Sequence, residues 1–273
     1  MISELWKKTL YLKDIDFLIN DTIYEYDLAK ANISILRHYN MISQKIYEKL
    51  FNAERVQRQV IVGKLQKSDP AIAEALSVGF VEARRLFFEM NGLEDKDILS
   101  IKKDAIFCLR QVPYTLVAEY MNFVAKNLYT SYYYIPSQKK EIYYCNCPNI
   151  PEKLDIKGMS DESLKLHEGY MKEFIMVLFD IAQSNIKEAL DTISRFIDLY
   201  RQRSLDIEFY RTFDTNSKFI FKSSPNTTEV FSSSLPFVQN KDYLDISYNN
   251  NLLIDLYKII SKQYTIMTRK PRC

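Results

Sequence analysis

The chain has 273 residues, 47% hydrophobic and 26% charged, the balance of a globular protein with room for one large or two ordinary domains. A net charge of +2 gives it no overall field for nucleic acid, so any basic surface must be local. No apolar run approaches the roughly 20 residues that span a bilayer, and the first ten residues lack the apolar segment of a signal peptide, so a cytoplasmic protein with no membrane partner is expected.

Residues 9–19 read as one or two short strands. Tyr24 and Tyr26 then alternate with Glu25 and Asp27, which is a strand pattern. After Asp27 the apolar residues Leu28, Ala31, Ile35 and Leu36 recur at helical spacing. Asp27 therefore stands at a strand end and near a helix start; position alone favours a helix cap over a metal ligand. A charged helical tract runs from about Ser43 to Lys67 and carries Arg55, Arg58, Lys64 and Lys67. Asp69 and Pro70 predict the end of that tract and the start of a second helix, which ends at Gly92. Residues 98–109 form two apolar runs around Lys102, Lys103 and Asp104, the pattern of a hairpin with Asp104 at its tip. Residues 114–127 read as helical, and 128–135 and 140–145 as two strands. A capping signal at 160–163 opens a helical tract to about Arg203, broken near Ser184 and Asn185. Strands are expected over 206–222, a polar mobile loop over 223–242, and a last helix over 249–264. Most of the 20 Tyr and 16 Phe are expected to fill cores.

This order of pieces resembles the palm and thumb of family B DNA polymerases over roughly residues 20–175. The first motif of that family is a strand-ending Asp, a Ser-Leu-Tyr-Pro-Ser-Ile-like helix start and a downstream Asn; Asp27 to Asn40 is similar to it. A basic helix ending in Asp-Pro follows in the family, and Arg55 to Pro70 matches it in order. The Tyr-Gly-Asp-Thr-Asp-Ser hairpin, followed by Ile-Phe, corresponds to Ile101 to Phe107, with Asp104 on the second, metal-binding Asp. A basic, Tyr-containing strand and a Lys-Gly step correspond to Lys139, Lys140 and Tyr143 and to Lys157 and Gly158. The resemblance implies an α+β fold: an antiparallel palm over 1–164, a short helical fingers insertion at about 43–92, and a mostly helical thumb over 165–273.

It also implies a chemistry. Nucleotidyl transfer is in-line attack of a 3′-hydroxyl on an α-phosphate, helped by two metal ions about 4 Å apart. Mg²⁺ needs one or two carboxylates beside phosphate and water, so two Asp from separate strands suffice. Asp27 and Asp104 are the implied catalytic residues and ligands of Mg²⁺ or Mn²⁺. Arg55, Arg58 and Lys64 are the implied holders of a nucleoside triphosphate. Lys139, Lys140, Tyr143, Lys157, Gly158, Arg201 and Arg203 are implied contacts to a DNA or RNA primer–template. Asn32 stands where the family has a Tyr beneath the incoming sugar; a smaller, polar side chain there implies weak discrimination against ribonucleotides.

The departures are specific. Lys102 replaces the first acid of the hairpin motif, and the fingers helix with its Lys and its Asn-Ser-x-Tyr-Gly signature is missing from 70–92. A protein partner completing the fingers would account for that gap. The place of Asp27 leads us to expect no exonuclease domain before the palm, and the economy of size suggests a phage or mobile-element setting. His38 and His167 have no partner at ligand or triad spacing, and with Cys108, Cys145, Cys147 and Cys273 they make no zinc pattern. Three readings compete: a minimal polymerase-like nucleotidyltransferase, a catalytically reduced relative that binds nucleic acid or a replication partner, and a helical interaction protein in which Asp27 and Asp104 are a cap and a turn.

Overall fold

A computed structural model describes residues 4–135, 140–157, 169–202, 204–205, 212–213, 218–224, 227–232 and 247–268. The fold is α+β with antiparallel strands. It forms two compact units: residues 1–14 with 22–128, and residues 15–21 with 129–273. The expected boundary near 164 lies outside the described residues. No helix among the described residues is long and apolar enough to cross a membrane.

In the first unit, β1 (Tyr11–Leu12) pairs with β3 (Ile98–Lys102), β3 with β4 (Ala105–Cys108), and β4 with the end of β2 (Phe17–Leu28). Beyond β2 lies β6 (Met121–Ile135), with β5 (Leu116–Ala118) beside it. The strand-end expectation holds, because β2 stops one residue after Asp27. The helices α1 (Ala31–His38), α2 (Gln44–Phe51), α3 (Arg55–Ser68) and α4 (Pro70–Asn91) cover the core built by Tyr26, Leu28, Ile35, Leu36, Phe80, Phe87 and Ile106. Asp69 caps α4 through the amide of Ala71 at 2.9 Å, and Gly92 ends it with φ 56, as its left-handed position requires. The single tract expected over 43–67 is two helices. Asn52, Ala53 and Glu54 turn the chain so that Leu50 of α2 and Val62 of α3 both reach that core.

Residues 114–127 correct the helical expectation: they make β5, a tight turn at Glu119 and Tyr120, and the start of β6. Met121 and Phe123 are buried, with Asn122 and Val124 facing away, a period of two. The hairpin turn lacks Gly, Pro and Asn, so the usual punctuation was missing.

In the second unit, β7 (Lys140–Cys145) pairs with the end of β6 and with β8 (Lys153–Lys157). The helices α5 (Gly169–Ser184) and α6 (Ile186–Arg201) are separated by Asn185, whose side chain caps α6 at the amide of Glu188, where the break was expected. The helix α7 (Ser247–Thr268) packs on α6. The core is aromatic and aliphatic: Tyr133 stacks on Phe179 at 4.1 Å between centroids, with Tyr144, Ile193 and Leu256 around them. A separate sheet holds β9 (Thr212–Phe213), β10 (Lys218–Ser224) and β11 (Thr227–Ser232). The last of these is a strand where a loop was expected. Its Thr-Thr-Glu-Val-Phe run has β-branched and aromatic residues that favour pairing over the polar context around it. The capping signal at 160–163 lies outside the described residues, as does His167.

Candidate active site

Three acids, Glu25, Asp27 and Asp104, lie near the same end of the first unit's sheet. Glu25 and Asp27 are two apart on β2, so their side chains point to one face. Asp104 follows Lys103 in the two-residue turn between β3 and β4. The register sets Asp27 opposite Ala105, one residue from Asp104, and Leu28 N–H donates to the Asp104 carbonyl at 2.8 Å. The pairing of β2 with β4 thus brings the end of β2 at Asp27 beside the turn that carries Asp104.

The electrostatics follow from that crowding. Burial pushes the Asp27 carboxyl above the ordinary aspartate value, and the negative charges of Asp104 and Glu25 push it further; Lys126 pulls it down. Lys126, from β6, donates to Asp27 Oδ2 at 3.1 Å. Glu25 is 2% exposed and accepts from the side-chain amide of Asn127. Arg84 of α4 is 1% exposed and holds the turn from below. Its Nη1 donates to the Lys103 carbonyl at 2.6 Å and its Nε to the Trp6 carbonyl at 2.7 Å. Burial lowers its pKa to about 10, and the charge of Asp104 acts against that fall.

Lys126, Asn127 and Glu25 were not singled out in the sequence. Lys126 and Asn127 fell in the segment read as helical, where a sheet neighbour of Asp27 could not be recognised; the signal was the Met121–Phe123 alternation. Arg84 carried none, since a charged residue mid-helix reads as solvent-facing.

Carboxylates gathered at one end of a sheet suit a hard divalent cation that brings phosphate and water as its other ligands. Burial is the first cause of the raised Asp27 pKa, and the repulsion from Asp104 and Glu25 that adds to it is of the kind such a cation relieves. Among the described residues no group of three or more His, Cys, Asp and Glu is arranged to hold a metal ion by itself.

The remaining sequence-predicted residues are distributed as follows. Asn32 is half-buried in the first turn of α1. Arg55 and Lys64 are exposed on α3, and Arg58, half-buried, donates to the Ala53 carbonyl. In the second unit, Lys140 opens β7 and Lys157 closes β8, 3.8 Å from Asp155. Arg201 is exposed at the end of α6. Tyr143 is fully buried between Tyr129 and Tyr132, with its hydroxyl donating to Glu141 at 2.8 Å. Its alternation partner on β7, Tyr144, is buried as well, because β7 is covered on both faces. Lys139, Gly158 and Arg203 lie outside the described residues. His38 sits edge-on to Tyr39 at 5.1 Å, as a packed surface histidine.

The site and its sheet define a protein with paired carboxylates at the meeting of a β-hairpin and a strand-to-helix turn. The chain belongs to the Bacteriophage PBS1 gene 130 protein family, whose profile matches residues 1–262. That description agrees with the phage setting expected from the sequence. In structure the chain is similar to the family B DNA polymerase of the hyperthermophilic archaeon Pyrobaculum calidifontis, with a TM-score of 0.44 and 8% identity over 92% of this chain. The match covers 47% of that polymerase, so the chain spans about half its length. No curated protein matches the chain in sequence.

Proposed function

We propose that this chain is a minimal nucleotidyltransferase that extends a nucleic-acid 3′ end, with Asp27 and Asp104 as the carboxylates for Mg²⁺ or Mn²⁺. The observation that supports it most is the register of β2 against β4, in which Asp27 lies opposite Ala105, the residue after Asp104. Divalent cations bound there would lower the pKa of the attacking hydroxyl and offset the charge on the leaving oxygen. The protein's own part is orientation. The turn that carries Asp104 is fixed by Arg84 from beneath, and Asp27 is fixed by the ladder up to the last residue of β2. Both carboxylates are therefore carried on backbone that is fixed before a substrate arrives, which is where positioning would contribute to rate. Asn32, five residues after Asp27, would lie under the sugar and admit ribonucleotides. The substrates would be nucleoside triphosphates and a DNA or RNA primer–template, met in the cytoplasm.

Two observations favour a second reading, a catalytically reduced relative that binds nucleic acid or a replication partner. Lys126 already neutralises Asp27, and Lys102 stands where the resembled motif has an acid. Primer extension with Mg²⁺ or Mn²⁺ separates the two. The first reading expects incorporation that Asp27→Asn and Asp104→Asn each reduce by at least a hundredfold with the fold retained, and Asn32→Tyr should then suppress ribonucleotides selectively. Primer–template binding without extension would support the reduced relative instead, and extension surviving either Asp→Asn change would refute the assignment.

A further inference from the structure

Arg84 and Lys126 both attend the acids of the candidate site, and they are held differently. Arg84 is 1% exposed and tied by Nε and Nη1 to the carbonyls of Trp6 and Lys103, so it stays where the fold puts it. Lys126 comes from β6 with its side chain 50% exposed. Its ammonium donates to Asp27 Oδ2 at 3.1 Å, and among the described residues it makes no other hydrogen bond or ion pair. An ammonium on a flexible four-carbon stem, anchored at one point and half in water, can leave that point without unfolding anything.

The acids set its place. Burial works against the Lys126 charge, while the bond to Asp27 and the negative charges of Asp27, Glu25 and Asp104 favour it and leave its pKa raised. All three acids of the sheet end therefore act on this one ammonium. The strand order gives the reason: β2 lies between β4 and β6, so Lys126 approaches Asp27 from the side opposite the turn that carries Asp104. An oxygen that accepts from an ammonium is a poorer ligand for a second cation. A divalent ion on Asp27 would also lie close to that ammonium, where like charges repel.

We propose that Lys126 is an internal competitor for the divalent cation: its ammonium neutralises Asp27 while the metal is absent, and metal binds there by displacing it. The metal rests on the reading above; the hold of the ammonium on Asp27 does not. Lys126 then sets how much metal the site demands, and it lets the strand end keep its acids together before an ion arrives. Arg84 cannot play this part, because the carbonyls of Trp6 and Lys103 fix its guanidinium. A lysine on Asp27 is accordingly the metal-free state of the site and not a sign that the site has been lost.

Titration of the full chain with Mn²⁺, without nucleotide or primer, tests this through loss of the free-ion electron paramagnetic resonance signal. Lys126→Met should bind Mn²⁺ at least tenfold more tightly than the wild type. Lys126→Arg, which keeps the charge, should show no such gain, nor should Lys45→Met, exposed on α2. Adding Asp27→Asn to Lys126→Met should abolish the gain, which assigns it to this site. If Lys126→Met fails to fold by circular dichroism, the wild type itself gives the answer: Mg²⁺ should speed reductive methylation of Lys126, read by mass spectrometry, and leave Lys45 unchanged. The proposal is overturned if the wild type and Lys126→Met bind Mn²⁺ equally, if neither binds it, if the gain survives Asp27→Asn, or if Mg²⁺ leaves the methylation of Lys126 unchanged. Primer extension absent from both proteins would refute nucleotidyl transfer and leave a tenfold gain in Mn²⁺ binding standing.

Discussion

Gly79 sets tertiary packing against helix propensity, and the two make opposite forecasts for Gly79→Ala. Propensity alone says that Ala in the middle of α4 should stabilise by about 1 kcal/mol. The packing says otherwise. A Cβ on Gly79 would stand 2.1 Å from Ile35 Cγ2, 3.2 Å from Ile35 Cβ and 3.0 Å from Tyr39 Cε2. Ile35 is fully buried, and its Cγ2 is a branch next to the backbone of α1, with no room to swing aside. Relief requires α1 and α4 to separate, and overpacking of that kind costs about 3 kcal/mol at the upper end of its usual range. The net expectation is a loss of about 2 kcal/mol, or about 4 to 8 °C in Tm for a chain of this size. Gly63→Ala is the internal control. Nothing lies within 4 Å of its Cβ on α3, so it should gain up to about 1 kcal/mol from propensity. Urea denaturation followed by circular dichroism reads both. Because α1 begins four residues after Asp27, Gly79→Ala should also lower any extension activity. If Gly79→Ala stabilises as much as Gly63→Ala, the close approach of α1 and α4 is refuted, and with it the placement of Asn32.

Asp27 gives a pH signature. Its folded pKa is raised, so the folded state holds the proton more tightly than the unfolded chain, and stability falls as pH rises from the ordinary aspartate value through the raised one. Denaturation at a series of pH values should therefore show the wild type losing stability relative to Asp27→Asn as pH rises across that window, with a constant difference above it; a wild type that gains stability relative to Asp27→Asn as pH rises would contradict the raised pKa. Arg84→Met takes the Arg84 donors from the part-buried carbonyls of Trp6 and Lys103, at a cost of about 1 kcal/mol after the relief of burying a charge is counted. Hydrogen exchange should quicken at the turn of Lys103 and Asp104, and unchanged exchange there would show that Arg84 does not hold it.

Local signals carried the frame of the first unit. The Tyr24–Asp27 alternation, the Asp69–Pro70 start, the Gly92 stop and the charged turn between two apolar runs each encode a backbone preference within a few residues, and each is where the chain does it. The break at Asn185 is of the same kind. The expectation that Asp27 and Asp104 lie near one another came from the colinear motifs, not from spacing, and the pairing of β2 with β4 is what brings them near. The rest depended on contacts between distant segments. Whether 114–127 was helix or hairpin could not be decided by an apolar pattern that fits both, and the outcome turned on β6 finding an open edge of β2. Lys126 became the partner of Asp27 only through that pairing. The burial of Tyr143 followed from β7 being covered on both faces, which alternation alone does not reveal. Arg84 and Gly79 are the clearest cases. Nothing near either residue in sequence explains a buried cation or a mid-helix glycine, because the groups that require them, the carbonyls of Trp6 and Lys103 and the branch of Ile35, arrive only when the chain has folded.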